Sequence, residues 1–312
     1  MHSDMAMFKP RKLWVRLLQI AVIAALVVFI GQRIASNWTS IKDFEWHLNY
    51  GLLALSLGVM LLALFVQSSV LAKIFGAFSR NVSPLKSFKI AYLSQLGRYL
   101  PGKVWQVFGM IHLAGKEGLS KTEAITSFAL AQLFTTPPAL LVVACFLFLP
   151  GYYPDSEFVS PTIGYIVGGI SCISLVIFFK PHWLRKVINA MGTRLGAEPV
   201  EFHISGRVAV EILAMYCVGW ILYGSAFYLF LLSVSDFPRE NIVQAIGIFC
   251  AAYLIGYWSI LAPGGIGVRE TALVLFLGPI FGGGVAAAIA AFARIWSIVG
   301  EVIASVLALR IR

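Results

Sequence analysis

The chain has 312 residues, of which 59% are hydrophobic and only 12% charged, with a net charge of +10 and a mean hydropathy of +0.86. A soluble domain carries about a quarter charged residues, so this sequence cannot cover a water-facing surface and is expected to be an all-α integral membrane protein. No segment is long and polar enough for a soluble catalytic domain. The four cysteines and five histidines show no metal or redox spacing, so no metal or other cofactor is expected.

Taken in chain order, apolar runs near the ~20 residues a bilayer requires predict six full spans, at 14–35, 51–72, 124–149, 161–179, 208–234 and 283–309. The first is too long for a signal peptide, and the "IASNWTS" that follows it makes a poor cleavage site. With the N-terminus in the cytoplasm, the N-terminal arm, the loops at 73–90, 113–123 and 180–207, and the C-terminus hold most of the lysines and arginines. The external segments keep only Arg33, Lys42 and Arg239. That positive-inside bias accounts for the net charge, places both termini inside, and removes the case for nucleic acid as a partner. Basic loops then face anionic lipid heads. Trp38, Trp46, Tyr50, Tyr152, Tyr153 and Trp183 flank spans at interfacial positions. Within the spans, Gln67 and Ser68 are expected as packing residues. Gln132 with Pro137-Pro138 predicts a kinked, partly polar wall, and Glu211 an interfacial carboxylate.

Two further hydrophobic stretches, Lys89 to Gly115 and Ala245 to Pro279, are helical in pattern but interrupted. Each carries "AYL" ten or eleven residues before a Pro-Gly pair and then a basic residue: Pro101-Gly102 with Lys103, and Pro263-Gly264 with Arg269. Proline and glycine together end a helix, and the residues after them can start another. The first stretch begins and ends among basic residues. The second begins after an acidic turn and ends before a span that must finish inside. Each is therefore expected to be a re-entrant hairpin of two half-helices, entering from opposite faces; a full crossing by 241–261 is the alternative for the second. The order span, span, hairpin, span then occurs twice with reversed direction. Residues 1–312 are expected to form a single transmembrane domain, an inverted-topology repeat of halves 1–150 and 161–312, an architecture whose broken segments mark a substrate site near the midplane.

At such a break the second half-helix begins with unpaired N–H groups at the positive end of its dipole. Lys103 and Arg269 near those ends call for a negative partner. Glu270 offers one in the second hairpin. The first holds Gln95, Arg98 and Lys103 and nothing acidic between Lys89 and Glu117. Phosphate suits N–H groups, arginine and lysine together; the alternative is that Arg98 and Lys103 snorkel to the interface and bind nothing. In the last span Arg294 and Glu301 share a face, about 10 Å apart along the axis, so each needs another partner. Arg269 and Glu270 are the candidates, for a structural lock or a transport role.

"GRYLPGKVW" and "APGGIGVRE", in this order and spacing, resemble the lysylphosphatidylglycerol synthase transmembrane-region family, over nearly the whole chain. The resemblance implies a flippase-like membrane part, in a stand-alone form without the aminoacyltransferase domain, so synthase activity is not expected. The family-like positions are Arg98, Pro101, Gly102, Lys103, Pro263, Gly264, Gly265, Gly267, Arg269 and Glu270, with Arg294 and Glu301 resembling the polar pair of the family's last helix. The third span reads "ALAQLF", less charged than the family pattern. The expected function is a lipid translocase of a bacterial or archaeal cytoplasmic membrane, without catalytic residues. It would bind a phospholipid or lipid-linked sugar through those residues and Gln95. One alternative is a polyprenyl-dependent glycosyltransferase using Asp43 and Glu45 of "KDFEW"; another is a non-catalytic partner presenting lipid to a lipid-modifying or glycosyltransferase enzyme.

Overall fold

The computed structural model describes residues 28, 31–32, 34–99, 104–148, 161–194, 199–259 and 263–311, and all regular structure among them is helical. A short α1 (Trp38–Asp43) precedes the long α2 (Tyr50–Gly76). The chain then passes through α3 (Pro84–Gln95), a 3-10 turn (Leu96–Tyr99) and α4 (Val104–Lys116). α5 (Lys121–Phe134) and α6 (Thr136–Phe148) follow, then α7 (Pro161–Phe178) and α8 (Pro181–Arg194). The long α9 (Gly206–Val234) leads through a turn at Arg239–Asn241 to α10 (Ile242–Tyr257). A turn at Pro263–Gly265 precedes α11 (Val268–Phe281), and α12 (Gly283–Leu309) comes last.

Local chemistry sets the helix starts. Asn49 accepts from the Leu52 N–H ahead of α2, Ser83 from the Lys86 N–H ahead of α3, and Ser205 from the Val208 N–H ahead of α9. Ser120 and Glu123 form a reciprocal capping box at α5.

Tyr50–Gly76, Lys121–Leu147, Gly206–Val234, Arg239–Tyr257 and Gly283–Leu309 are each long and apolar enough to cross a membrane. Thr162–Phe178 with His182–Ala190 makes a sixth if that pair, bent by 85°, is one span. The molecule is an all-α, multi-pass membrane protein. The expected spans at 51–72, 124–149, 208–234 and 283–309 coincide with four of these helices. The expected span at 14–35 falls largely outside the described residues. At 161–179 the helix ends just before Pro181, which cannot extend it. Arg239–Tyr257 has the length of a span, as the alternative of a full crossing requires.

α2 and α9 pack along their lengths as the centre of the bundle. At one end the Asn49 N–H donates to the Ser233 carbonyl, and at the other Lys73 pairs with Glu211 at 2.7 Å, so the two helices run antiparallel. The Lys73 end also gathers Arg207 on Glu211, Lys86 on Glu117, Arg80 near Glu123, and Lys89 donating to the Ile311 carbonyl. The Asn49 end gathers aromatic contacts of Phe44, Trp46 and Phe237 with Phe281 and Phe292.

α3 and α4 fold onto each other, as do α10 and α11. Glycines permit both close approaches. A Cβ on Gly109 would lie 3.1 Å from the Ser94 Cα, and one on Gly256 would lie 2.8 Å from the Arg269 Cβ. The first hairpin opens at the Lys73 end and the second at the Asn49 end, and their turns touch each other. With 12, 13 and 14 residues, α3, α4 and α11 reach about 18–21 Å at 1.5 Å per residue, short of the ~30 Å hydrocarbon core. The packing repeats between the two parts of the chain. α2 lies on α3 and α12 as α9 lies on α10 and α6; α3 meets α12 as α10 meets α6; α4 meets α5 as α11 meets α12.

Small residues set these contacts, as in other membrane bundles: Gly284, Ala286, Ala287, Ala290 and Ala293 are buried on α12. A Cβ on Gly224 of α9 would lie 2.8 Å from the Ile246 Cα of α10, backbone that cannot swing aside, whereas Gly300 faces the flexible end of Met60. Gly224→Ala should destabilise the protein by about 1–3 kcal/mol, and Gly300→Ala by clearly less. Thermal unfolding midpoints in detergent decide this; equal midpoints would contradict the close α9–α10 contact.

Candidate functional site

Proline, glycine and helix geometry build the site. In "PGGIG", Gly264, Gly265 and Gly267 have φ of +65°, +69° and +82°, the left-handed region that a Cβ penalises. A Cβ on Gly265 would also lie 2.8 Å from the Gly256 carbonyl oxygen. These glycines turn the chain tightly against the end of α10 and release it into α11 at Val268.

Beside this turn is a cavity of about 390 Å³ between the two hairpins, walled by α2, α5, α9 and α12. Of the residues singled out from the sequence, Gln95, Gly264, Gly265, Arg269, Arg294 and Glu301 line it. Gly267 caps α11 and Glu270 lies in its first turn, behind the wall. Pro263 begins the turn. Arg98 belongs to the Leu96–Tyr99 turn, but its side chain lies outside the described residues, as do Pro101, Gly102 and Lys103 altogether.

Arg269 is 6% exposed. Its guanidinium lies 4.8 Å from the ring centre of Phe249 and 4.9 Å from that of Tyr253, and it donates to the Ser297 hydroxyl at 3.2 Å. The ring faces attract the cation and hold it at the cavity wall. Glu270, also 6% exposed, accepts from the Gly267 N–H at 2.6 Å through one oxygen; the other lies 3.4 Å from the Arg294 guanidinium. The start of α11 therefore has an internal carboxylate partner. Its capping N–H is engaged by Glu270, and among the described residues the cations facing the cavity are Arg269 and Arg294.

The remaining lining is neutral and polar. Gln67, Gln106 and Gln132 stand on α2, α4 and α5. Tyr216, Trp220 and Tyr223 share one face of α9, at spacings of four and three. Sequence reasoning assigns Gln67 and Ser68 to packing and misses the α9 aromatics; the available signal is hydrogen-bonding tips recurring at helical spacing within apolar runs. Gln67 does pack, its methylene chain filling the space beside Gly219, while its Nε2 is buried with no hydrogen-bond partner. Aromatic donors also serve the α5–α6 break: Tyr216, Tyr257 and Trp220 donate to the carbonyls of Ala131, Gln132 and Thr135, and Trp258 to the Thr136 hydroxyl. Among the described residues no three His, Cys, Asp or Glu side chains gather as a metal site. Asp43 and Glu45 are exposed and do not line the cavity.

The family model described as the lysylphosphatidylglycerol synthase TM region matches residues 16–305. Comparison with curated proteins and with solved structures finds no match.

The Glu270–Arg294 contact joins the second hairpin to α12. Removing one member of a buried ion pair costs about 3–5 kcal/mol, because the other is left uncompensated. Glu270→Ala should destabilise on that scale, and adding Arg294→Met should recover part of the loss. A double-mutant cycle on denaturant unfolding in detergent measures the coupling, and strictly additive losses would show that the pair does not hold the hairpin.

Proposed function

Since the chain belongs to the lysylphosphatidylglycerol synthase TM-region family, we propose that it is a flippase-like lipid transporter rather than an enzyme, residing in a bacterial or archaeal cytoplasmic membrane. The phosphate of a lipid head group occupies the cavity between the hairpins while the acyl chains stay in the bilayer. The hairpins re-enter the membrane from opposite faces, and the two halves form an inverted repeat.

The observation that carries this proposal is the cavity where the two turns meet, with Arg269 and Arg294 on its wall. Arginine forks match phosphate oxygens, and charge-assisted bonds to them are the strong kind. A cavity of about 390 Å³ suits a head group; ligand sites run from about 300 to 1,000 Å³. The paired packing of α2–α3 with α9–α10, and of α3–α12 with α10–α6, agrees with an inverted repeat, as do half-helices too short to cross. Sugar transfer through Asp43 and Glu45 gains nothing from the cavity, since neither lines it.

Purified protein in proteoliposomes tests the proposal through the rate of lipid exchange between leaflets. Losing one charged hydrogen-bonding partner of a phosphate costs about 1.5–3 kcal/mol, so Arg269→Ala should slow exchange by at least about tenfold. Arg98→Ala combined with Lys103→Ala should act in the same direction. Lys42→Ala, at an exposed position of α1, should change nothing. Wild-type exchange rates in both the Arg269 variant and the Arg98/Lys103 variant, with unfolding midpoints intact, would refute the proposal.

A further inference from the structure

Resting on that head-group proposal, we infer that the cavity selects a phosphate joined to an uncharged polyhydroxylated group, such as glycerol, inositol or a sugar, against one joined to an amine. The lining supplies the chemistry. Around the two arginines stand amides on different elements: Gln67 on α2, Gln95 at the end of α3, Gln106 on α4 and Gln132 on α5. An amide donates and accepts at once, as does the hydroxyl of a polyol. An ammonium has three donors and no acceptor, so half of each amide would face it unmatched.

Two of these amides are open to a ligand; the Gln67 Nε2 is buried out of reach, without a partner. Among the described residues the Gln106 amide makes no hydrogen bond, and Gln132 takes part only through its backbone carbonyl, which accepts from Tyr257. A phosphate oxygen accepts from these amides but offers their carbonyls no donor, whereas a hydroxyl matches both, so a guest with hydroxyls gains more than a bare phosphate. The rings of Tyr216, Trp220 and Tyr223 supply apolar faces for the C–H side of such a guest.

The same wall disfavours an amine. A cation-accepting aromatic seat is present, formed by Phe249 and Tyr253, but Arg269 fills it. Arg294 adds a second positive charge at the cavity. Of the nearby carboxylates, Glu270 is engaged with the Gly267 N–H and Arg294, and Glu301 is already partnered. Among the described residues, an incoming ammonium meets two like charges and no open counter-ion.

Calorimetric titration of the full chain in detergent with dihexanoyl lipids decides the matter. The probes are phosphatidylinositol, phosphatidylglycerol, phosphatidic acid and phosphatidylethanolamine, with an isoprenyl phosphoglucose to distinguish a lipid-linked sugar from a glycerophospholipid. The polyol-bearing probes should bind at least about tenfold more tightly than phosphatidic acid, the gain of one to two matched hydrogen bonds, and more tightly still than phosphatidylethanolamine. Whichever of phosphatidylinositol and the phosphoglucose binds more tightly names the source. In Gln106→Leu combined with Gln132→Leu the polyol advantage should fall while phosphatidic acid affinity stays the same. Phosphatidic acid binding as well as the polyol lipids, or phosphatidylethanolamine binding best, would overturn the polyol selectivity and leave the phosphate site standing. So would an equal loss for every probe in the double variant. Binding of none of the probes to wild-type protein would refute the head-group site itself. The wild-type ranking decides even if the leucine variants do not fold.

Discussion

A helix interrupted in an apolar interior bares N–H and C=O groups that no water is at hand to satisfy, each costing several kcal/mol. This chain interrupts helices between α3 and α4, between α5 and α6, and between α10 and α11, and much of the remaining structure depends on how the breaks are satisfied. At α5–α6, Pro137 and Pro138 lack N–H groups. Tyr216 and Trp220 reach across from α9, and Tyr257 and Trp258 from the end of α10, to occupy three carbonyls and a hydroxyl around the break. At α11, Glu270 folds back onto the Gly267 N–H. The aromatic residues that look like core filling are thus the hydrogen-bond partners that permit the kink. Because they come from α9 and α10, the kink locks those helices against α5 and α6.

The buried charges obey the same constraint. A guanidinium in this interior survives only among groups that replace its hydration. Arg269 does so with two aromatic faces and a serine hydroxyl, without a carboxylate of its own at hydrogen-bonding distance among the described contacts. Glu270 is divided between a helix cap and Arg294. The Glu270–Arg294 separation of 3.4 Å is an ion-pair distance without hydrogen-bond alignment, so Arg294 keeps donors for the cavity it lines. Arg294, Ser297 and Glu301 stand three and four residues apart on α12 and present one polar stripe to the second hairpin. The small-residue run before it lets α11 approach closely enough for that stripe to be used.

How much of this is legible in the sequence depends on the property each signal measures. Hydropathy finds the helices at 50–76, 121–147, 206–234 and 283–309, because span length and apolar content are local properties. The Pro263-Gly264 pair locates the turn ahead of α11 for the same reason, and "PGGIG" announces the left-handed backbone directly. A cation beside the start of α11 calls for a carboxylate, and Glu270 serves. The polar cavity wall is another matter. Gln67, Tyr216, Trp220 and Tyr223 sit in long helices whose apolar content masks them, and a glutamine can equally well be filling space, as the Gln67 stem does against Gly219. Only the meeting of α2, α4, α5 and α9 around one volume turns those separate side chains into a lining. The bend at Pro181 likewise falls inside a stretch that looks like a basic loop, since hydropathy does not register an amphipathic helix that turns by 85°.

The location of the cavity is a consequence of the same broken helices. The short helices α3, α4 and α11, none long enough to cross, cannot fill the middle of the bundle as continuous helices would, and the volume beside the touching turns is where polar side chains can stand without facing lipid. For the proposed transport, the paired packing adds a further consequence. Each hairpin closes the cavity from its own end, and each rests on corresponding neighbours: α2 and α12 against the first, α9 and α6 against the second. Loosening the first hairpin and loosening the second therefore break similar sets of contacts. Two conformations close in free energy are what a small ligand can bias, since it shifts an equilibrium only by its differential affinity for the two states. A head group bound through Arg269 of the second hairpin and Gln95 and Gln106 of the first would touch both elements at once, and so would be held most firmly when neither is displaced.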